Sequence, residues 1–347
     1  MEVKSEKTRI GIIAALTLAA AVAFGATEPG LSPGPGLRYA TDAYPGFDNV
    51  DEVVNPERKE PRFFGLADRP EKENAAEQLV WCDECVSNKA WRAARKGYDA
   101  LVRRWPSAPE APVAQERLAD LYFTHYLEYE NAFHEYRYLL DFYSSQCDYR
   151  KVAESAYEMA KRMREEGKRV LYFRFANTVD VRRAFEAVVL RAPGAAFAPE
   201  AMLAVAELRE DEGKYDTAVT VYENLRNLHP GTPEEKTALY RESHARMVAL
   251  REHGYNRARC LDTVAFLRLT LASNRAFEGR EEVEGWLAEA QEHVEDEAFK
   301  AAKFYDSNTR TRRSAIAAYA SLVREYPASR HVEEARRRLD ELKGEGK

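Results

Sequence analysis

The apolar positions of this chain follow one spacing that recurs six times. An aromatic residue is followed three positions later by an aliphatic one, at Tyr98/Leu101, Tyr136/Leu139, Phe185/Val188, Tyr222/Leu225, Phe266/Leu269 and Tyr319/Leu322. Four residues before each aromatic stand Ala94, Ala132, Val181, Ala218, Asp262 and Ala315, and eight after it stand Pro106, Ser144, Pro193, Pro230, Asn274 and Pro327. Positions i, i+4 and i+7 share one face of an α-helix, so each small, aromatic and aliphatic set makes an apolar stripe. Proline lacks the N–H and clashes with the preceding turn, so each such helix ends near it. Eight residues beyond the four prolines come Ala114, Ala201, Ala238 and Ala335, small enough to let the next helix approach closely. Val181 and Asp262 are the two departures from small or helix-ending residues at these flanking positions.

A helix pair of this size cannot bury its stripe alone and must stack on copies of itself. The pattern therefore predicts an all-α fold, a solenoid of about five to six helix-turn-helix repeats with a C-terminal capping helix. Small and aromatic positions ahead of a terminal proline resemble the second helix of the tetratricopeptide repeat, and Ala218, Tyr222, Leu225 and Pro230 follow that order. Predicted helices cover 74–86 and 90–104, then alternate to a last one at 332–342. Successive aromatics lie 38, 49, 37, 44 and 53 residues apart, so some units carry insertions. Residues 168–178, with Val170, Leu171, Tyr172, Phe173 and Phe175, admit a short strand or an inserted loop. Between Phe277 and Phe304 there is no proline and there are two glycines, which predicts one unusually long helix.

The ends of the chain differ from this pattern. Lys4, Lys7 and Arg9 precede an apolar run from Ile10 to Ala26, which Glu28-Pro29-Gly30 closes. This is the layout of an export signal, with Ala23, Gly25 and Ala26 as cleavage positions; an uncleaved anchor is the open alternative. Residues 1–26 are read as the signal peptide, 27–72 as a disordered linker rich in proline and glycine, and 73–343 as the solenoid. Tyr44, Phe47, Phe63 and Phe64 are scattered aromatics in that linker, weak evidence for docking on their own. With 52 basic and 58 acidic residues the net charge is −6, which leaves no general nucleic-acid footprint. The expected location is periplasmic, with membrane association through partners or an N-terminal anchor.

Residues that could organise a reaction are sparse. Cys82-Asp83-Glu84-Cys85 is a lone C-x-x-C, and a thiol oxidoreductase is the distant enzymatic reading; redox chemistry needs the pair opening a helix in an α/β setting. In an exported protein Cys82, Cys85, Cys147 and Cys260 are expected to form structural disulfides or to stay partly free. The seven histidines are dispersed without a metal-binding pair, and neither a phosphate loop nor a nucleophile elbow occurs. No catalytic residue, metal or cofactor is therefore assigned.

Two clusters suit binding instead. Aromatics concentrate between Tyr122 and Tyr149, and most of them are expected to pack the second repeat. Tyr122 and Tyr126, one helical turn apart, are candidates for lining a groove that takes an aromatic-rich peptide. Arg310, Arg312 and Arg313 precede the last repeat helix and Arg336, Arg337 and Arg338 lie on the capping helix, where guanidinium forks face either solvent or an acidic partner.

The stretch from His293 through Glu297-Ala298 to Phe304-Tyr305, then Ala317-Ala318, Tyr326-Pro327-Ala328-Ser329 and Glu334-Ala335, is similar to the last repeats of the BamD (YfiO-type) outer-membrane assembly lipoproteins. Upstream, Ala192-Pro193-Gly194, Ala198-Pro199-Glu200-Ala201 and Gly213-Lys214-Tyr215 resemble the same family, so the likeness spans about 90–342. It implies a non-catalytic accessory of the β-barrel assembly machine. Its implied partners are the POTRA domains of the barrel-forming subunit and the C-terminal strand of unfolded outer-membrane clients. It also implies partner docking at the C-terminal end, where Arg310, Arg312, Arg313 and Arg337 stand as candidates. The alternative is a generic periplasmic tetratricopeptide adaptor for envelope or cell-division complexes.

The family is usually lipidated on a cysteine directly after the signal, whereas the first cysteine here is Cys82. Mature protein is therefore expected to carry no N-terminal acyl-cysteine. Intact-mass measurement of protein extracted from membranes checks this, and a diacyl or triacyl addition near the N-terminus would overturn it.

Overall fold

The computed structural model describes residues 44–48, 69–169, 178–273, 277 and 279–344. The apolar run 10–26, most of the expected linker and residues 170–177 of the expected strand or loop lie outside these. Among the described residues every regular element is helical. The helices are α1 (Ala75–Ser87), α2 (Trp91–Arg104), α3 (Ala111–Leu121), α4 (Tyr129–Phe142), α5 (Tyr149–Arg169), α6 (Thr178–Arg191) and α7 (Ala198–Asp211). They continue as α8 (Tyr215–Leu228), α9 (Pro233–Glu252), α10 (Arg257–Ser273), α11 (Arg280–Asp306), α12 (Arg312–Glu325) and α13 (Val332–Gly344). A π-helical turn, Tyr122–Tyr126, follows α3, and a 3₁₀ turn, Thr309–Thr311, precedes α12.

The chain divides into two compact units, Met1–Ala201 and Met202–Lys347. In the first, each helix from α1 to α6 packs on the next; in the second the same holds from α8 to α13, and α9 also touches α11. This is the tetratricopeptide-like arrangement of helix-turn-helix pairs that the spacing predicts.

Local chemistry sets the boundaries. The helices α2, α6, α8 and α12 each end two residues before Pro106, Pro193, Pro230 and Pro327. Asn74 caps α1, its Oδ1 accepting from the Glu77 amide at 2.9 Å, and Thr232 caps α9 ahead of Pro233. Gly213, at φ 72, closes α7 with its amide donating to the Glu210 carbonyl at 2.8 Å. The absence of proline after Phe277 does yield one long helix, the 27-residue α11.

In five of the six sets the stripe is buried. Tyr98, Tyr136, Phe185, Tyr222 and Tyr319 lie in the interior, as do Ala94, Ala132, Ala218 and Ala315 in the small slot. The following alanines Ala114, Ala201, Ala238 and Ala335 are buried at the contacts with neighbouring helices. The fifth set differs. Leu269 is 67% exposed, and the buried residues of α10 are Cys260, Val264 and Leu267, the same spacing two positions earlier. Asp262 in the small slot is the physical reason, because a carboxylate without a partner does not enter an apolar stripe. Phe266 is left half-buried with the Arg226 and Arg246 guanidinium carbons 5.3 and 4.4 Å from its ring centre. Both arginines donate at 2.8 Å to Glu242, which is fully buried between them. Burial pushes the Glu242 carboxyl up, and the two arginines oppose that shift.

Two glycines are required by contacts. At Gly97 in α2, a Cβ would lie 2.5 Å from Cys82 Sγ and 2.7 Å from Trp81, so the close approach of α1 and α2 depends on its absence. Gly279 holds φ +84 at the start of α11, and a Cβ there would meet the Tyr240 ring at 2.3 Å.

Tyr222, wholly buried in α8, donates its hydroxyl to Glu210 of α7. Tyr222→Ala should therefore cost about 3–5 kcal/mol, while Tyr222→Phe, which removes the hydrogen bond alone, should cost about 1.5–3 kcal/mol. Denaturant unfolding of both variants checks the pair of values. Wild-type stability in the alanine variant would remove Tyr222 from the core.

Candidate partner-binding surfaces

The aromatic stretch divides between the core and the surface. Phe133, Tyr136, Tyr138 and Tyr143 are buried in and after α4, whereas Tyr122 and Tyr126 are half-buried on the π-helical turn. One extra residue in that turn re-aims the side chains that follow α3, and such turns recur at functional sites. Leu127 ends it at φ 55 and is itself 57% exposed. The rings of Tyr122 and Tyr126 lie 5.9 Å apart, with the Arg95 guanidinium of α2 5.9 and 5.4 Å from their centres. Trp91 of α2 stacks on His125 at 4.3 Å. Burial pushes the Tyr122 phenol up, while the Tyr126 hydroxyl finds no hydrogen-bond partner among the described residues. The result is an aromatic platform around one guanidinium, suited to an aromatic or acidic peptide side chain.

The C-terminal arginines separate by role. Arg312 donates from Nε to the Leu342 carbonyl at 3.1 Å and so closes the end of α13 against α12, which is a structural use that removes it from the exposed cluster. Arg338 forks onto Asp306 at 2.6 and 3.0 Å, joining α13 to α11. Arg310 and Arg313 are exposed, and Arg337 is exposed with Glu341 at 4.0 Å. Close to Arg310 in the chain, at the end of α11, Phe304 is 73% exposed and packs edge-on to Tyr305 at 5.7 Å. Their breaking of the stripe period at the helix end is the signal that they face outward.

A third surface was not assigned from sequence. Residues 44–48, Tyr-Pro-Gly-Phe-Asp, lie against α6 within the first unit. The Phe47 amide donates to the Tyr44 carbonyl at 3.2 Å and Gly46 holds φ 92, a type II turn with proline and glycine at its central positions. Tyr44 is buried and its ring lies 5.2 Å from Phe47. Asp48 Oδ2 accepts from Arg182 at 2.9 Å and from Arg183 at 3.2 Å, and the Asp48 amide donates to Glu186 at 3.3 Å. Arg182 and Glu186 are themselves an interior ion pair, 1% and 0% exposed. The Pro-Gly pair was the legible signal for the turn; the arginines that receive it are 134 and 135 residues away in sequence and gave none.

The cysteines are not paired. Cys82, Cys85, Cys147 and Cys260 are all free thiols, the free state of the two expected from sequence. Cys82 and Cys85 lie inside α1 rather than opening a helix, and burial pushes the Cys82 thiol up to about 12. A thiol so hard to ionise is a poor nucleophile, which weighs against thiol-exchange chemistry. Among the described residues no group of acidic, histidine and cysteine side chains is placed to hold a metal, and no helix is long and apolar enough to cross a membrane.

The profile of the tetratricopeptide repeat family matches residues 200–232, which cover most of α7, all of α8 and the turn into α9. No curated protein matches the chain. Among solved structures it is similar to a tetratricopeptide repeat protein from Parabacteroides merdae, at 12% identity and a TM-score of 0.28, over 77% of this chain and 98% of that one. The matched repeat contains the best-kept stripe, Ala218, Tyr222 and Leu225, all buried.

Tyr126→Phe should leave stability unchanged or raise it by up to about 1 kcal/mol, because the hydroxyl it removes is buried without a protein partner. A thermal melt checks this, and a clear loss of stability would show that the hydroxyl is bonded in solution.

Proposed function

We propose that the protein is a non-catalytic scaffold of the cell envelope, exported to the periplasm and acting as a BamD-like accessory in outer-membrane protein assembly. It works by holding partners on its repeat surfaces. The POTRA region of a barrel-forming subunit docks on the C-terminal end, and segments of unfolded clients dock on the Tyr122/Tyr126 platform. The observation that carries the reading is the end of α11, where exposed Phe304 and Tyr305 are followed within nine residues of the chain by exposed Arg310 and Arg313. Aromatic and arginine side chains are the residue types that dominate the energetics of protein interfaces. The order of motifs from the long α11 through Ala317-Ala318 to Tyr326-Pro327 supports the same reading. The high Cys82 thiol and the conversion of tyrosines and arginines into helix-to-helix contacts favour binding over catalysis.

Crosslinking in intact envelopes followed by purification of this protein should recover a POTRA-bearing barrel subunit. Recovery of division or other envelope complexes in its place would assign the generic adaptor reading. Reversing charge at Arg310 and Arg313 together, leaving Arg312 in its structural role, should slow association with the POTRA region and flatten its salt dependence while the helical circular-dichroism signal stays unchanged. Identical association rates and salt slopes would exclude these two residues from the interface.

A further inference from the structure

The contact between residues 44–48 and α6 has the composition of a recognition site rather than of a core. Its receiving side is charged and almost wholly buried: Arg182 and Glu186 are 1% and 0% exposed, and Arg183 is 39% exposed at the rim. Charged groups at such depth stay ionised only when their bonds are completed. Asp48 of the segment bonds into this charged network, its carboxylate accepting from the two arginines and its backbone amide donating to Glu186. The ligand side is a preformed turn, because Pro45 and Gly46 set the two central conformations before docking and so reduce the entropy lost on binding. Twenty residues, 49–68, separate the segment from the start of the continuous fold at Arg69.

We infer that the surface of α6 formed by Arg182, Arg183 and Glu186 is a peptide-binding site for an aromatic–Pro–Gly–aromatic–Asp turn, which the chain's own residues 44–48 occupy in cis and which a partner segment of the same chemistry can take by displacing them. The tether sets the strength of this self-occupancy. Docking within one chain is intramolecular, so the resident segment masks the site from a weak external peptide and yields to a strong one. The site therefore opens to partners whose own turn binds better than the resident one. This goes beyond the proposed function and does not depend on which envelope complex the protein serves.

The test uses the full chain and a fluorescent synthetic peptide of residues 41–50, with binding read by anisotropy at low salt. Wild type should bind the peptide weakly, and the double variant Tyr44→Ala/Asp48→Asn should bind it about tenfold or more tightly, because the competing ligand is weakened. Gly46→Val should give a comparable gain, since a β-branched residue does not hold φ 92, and this variant leaves every residue of α6 in place. Adding Arg183→Glu to either opened variant should abolish the gain, and a peptide with asparagine in place of Asp48 should bind at least tenfold more weakly than the parent. Equal affinity of wild type and both opened variants, or no binding by either opened variant, would overturn the proposal and leave 44–48 as a fixed structural tether. Concentration-dependent dimerisation of wild type that the double variant loses would also overturn it, by assigning the segment to a second copy of the chain.

Discussion

A buried tyrosine hydroxyl must find a partner, and this constraint organises most of the repeats. Left unpaired in the interior, a hydroxyl costs about 1–3 kcal/mol, comparable to what the ring gains by entering. Here the hydroxyl of each buried stripe tyrosine reaches back to a carboxylate near the end of the preceding helix: Tyr98 to Asp83 at 2.7 Å, Tyr136 to Asp120, Tyr222 to Glu210, and Tyr319 to Asp306 at 3.3 Å. The carboxylate then needs compensation of its own. Arg117 pairs with Asp83, Arg241 with Glu210 and Arg338 with Asp306, each arginine coming from the helix after the tyrosine. One tyrosine thus ties three successive helices together through polar contacts that an apolar stripe alone would leave unspecified in register. The hydroxyl also holds its proton more firmly for it, with Tyr319 pushed up to about 12, first by burial and then by Asp306.

The pairing leaves a mark in the sequence that the stripe does not explain. Arg117, Arg241 and Arg338 each lie nineteen residues after the tyrosine they serve, and Ser155 holds the same place after Tyr136. Where the slot holds Phe185 the residue nineteen on is Ala204, and where α10 places Val264 it is Val283, which is wholly buried. A ring without a hydroxyl needs no acid, and the acid's absence leaves no charge to answer. The first unit uses a different polar tie at α6. Arg191 forks onto Asp141 of α4, donating from Nε and Nη2 at 2.7 Å each, in the interior. Burial pushes the Asp141 carboxyl up even though the guanidinium opposes the shift, so the pair specifies geometry more than it adds net stability.

The parts legible from sequence were those governed by local rules. Helix ends follow proline because the steric clash and the missing donor act within one turn, and the length of α11 follows from the lack of any such stop. The stripe phase was correct wherever the small slot was alanine or valine, and it failed in α10, where Asp262 and the arginines around Phe266 made an aromatic residue cheaper to keep at the surface of a charged network than in the core. Long-range contacts were illegible. The C-x-x-C spacing suggests chemistry, but Gly97 seats α2 so closely against Cys82 that this thiol's environment is packing. Arg312 sits with Arg310 and Arg313 in the chain, but its acceptor is the Leu342 carbonyl at the end of α13, thirty residues on.

This division also locates where function can reside in a repeat protein. Stripe residues are over-determined by packing and their hydroxyls by the carboxylates, so neither is free to vary with a ligand. What remains open to a ligand are positions where the repeat period breaks, the π-helical turn after α3 and the end of α11, and the α6 surface that takes a turn from outside the repeats. Each places aromatic or guanidinium groups on a rigid helical frame without asking the frame to change. Binding at such places draws on order already present in the helices, which lowers the conformational entropy lost on complex formation. A scaffold of this construction can diversify its partners by altering its period-breaking residues while the tyrosine, acid and arginine contacts keep the helices in register.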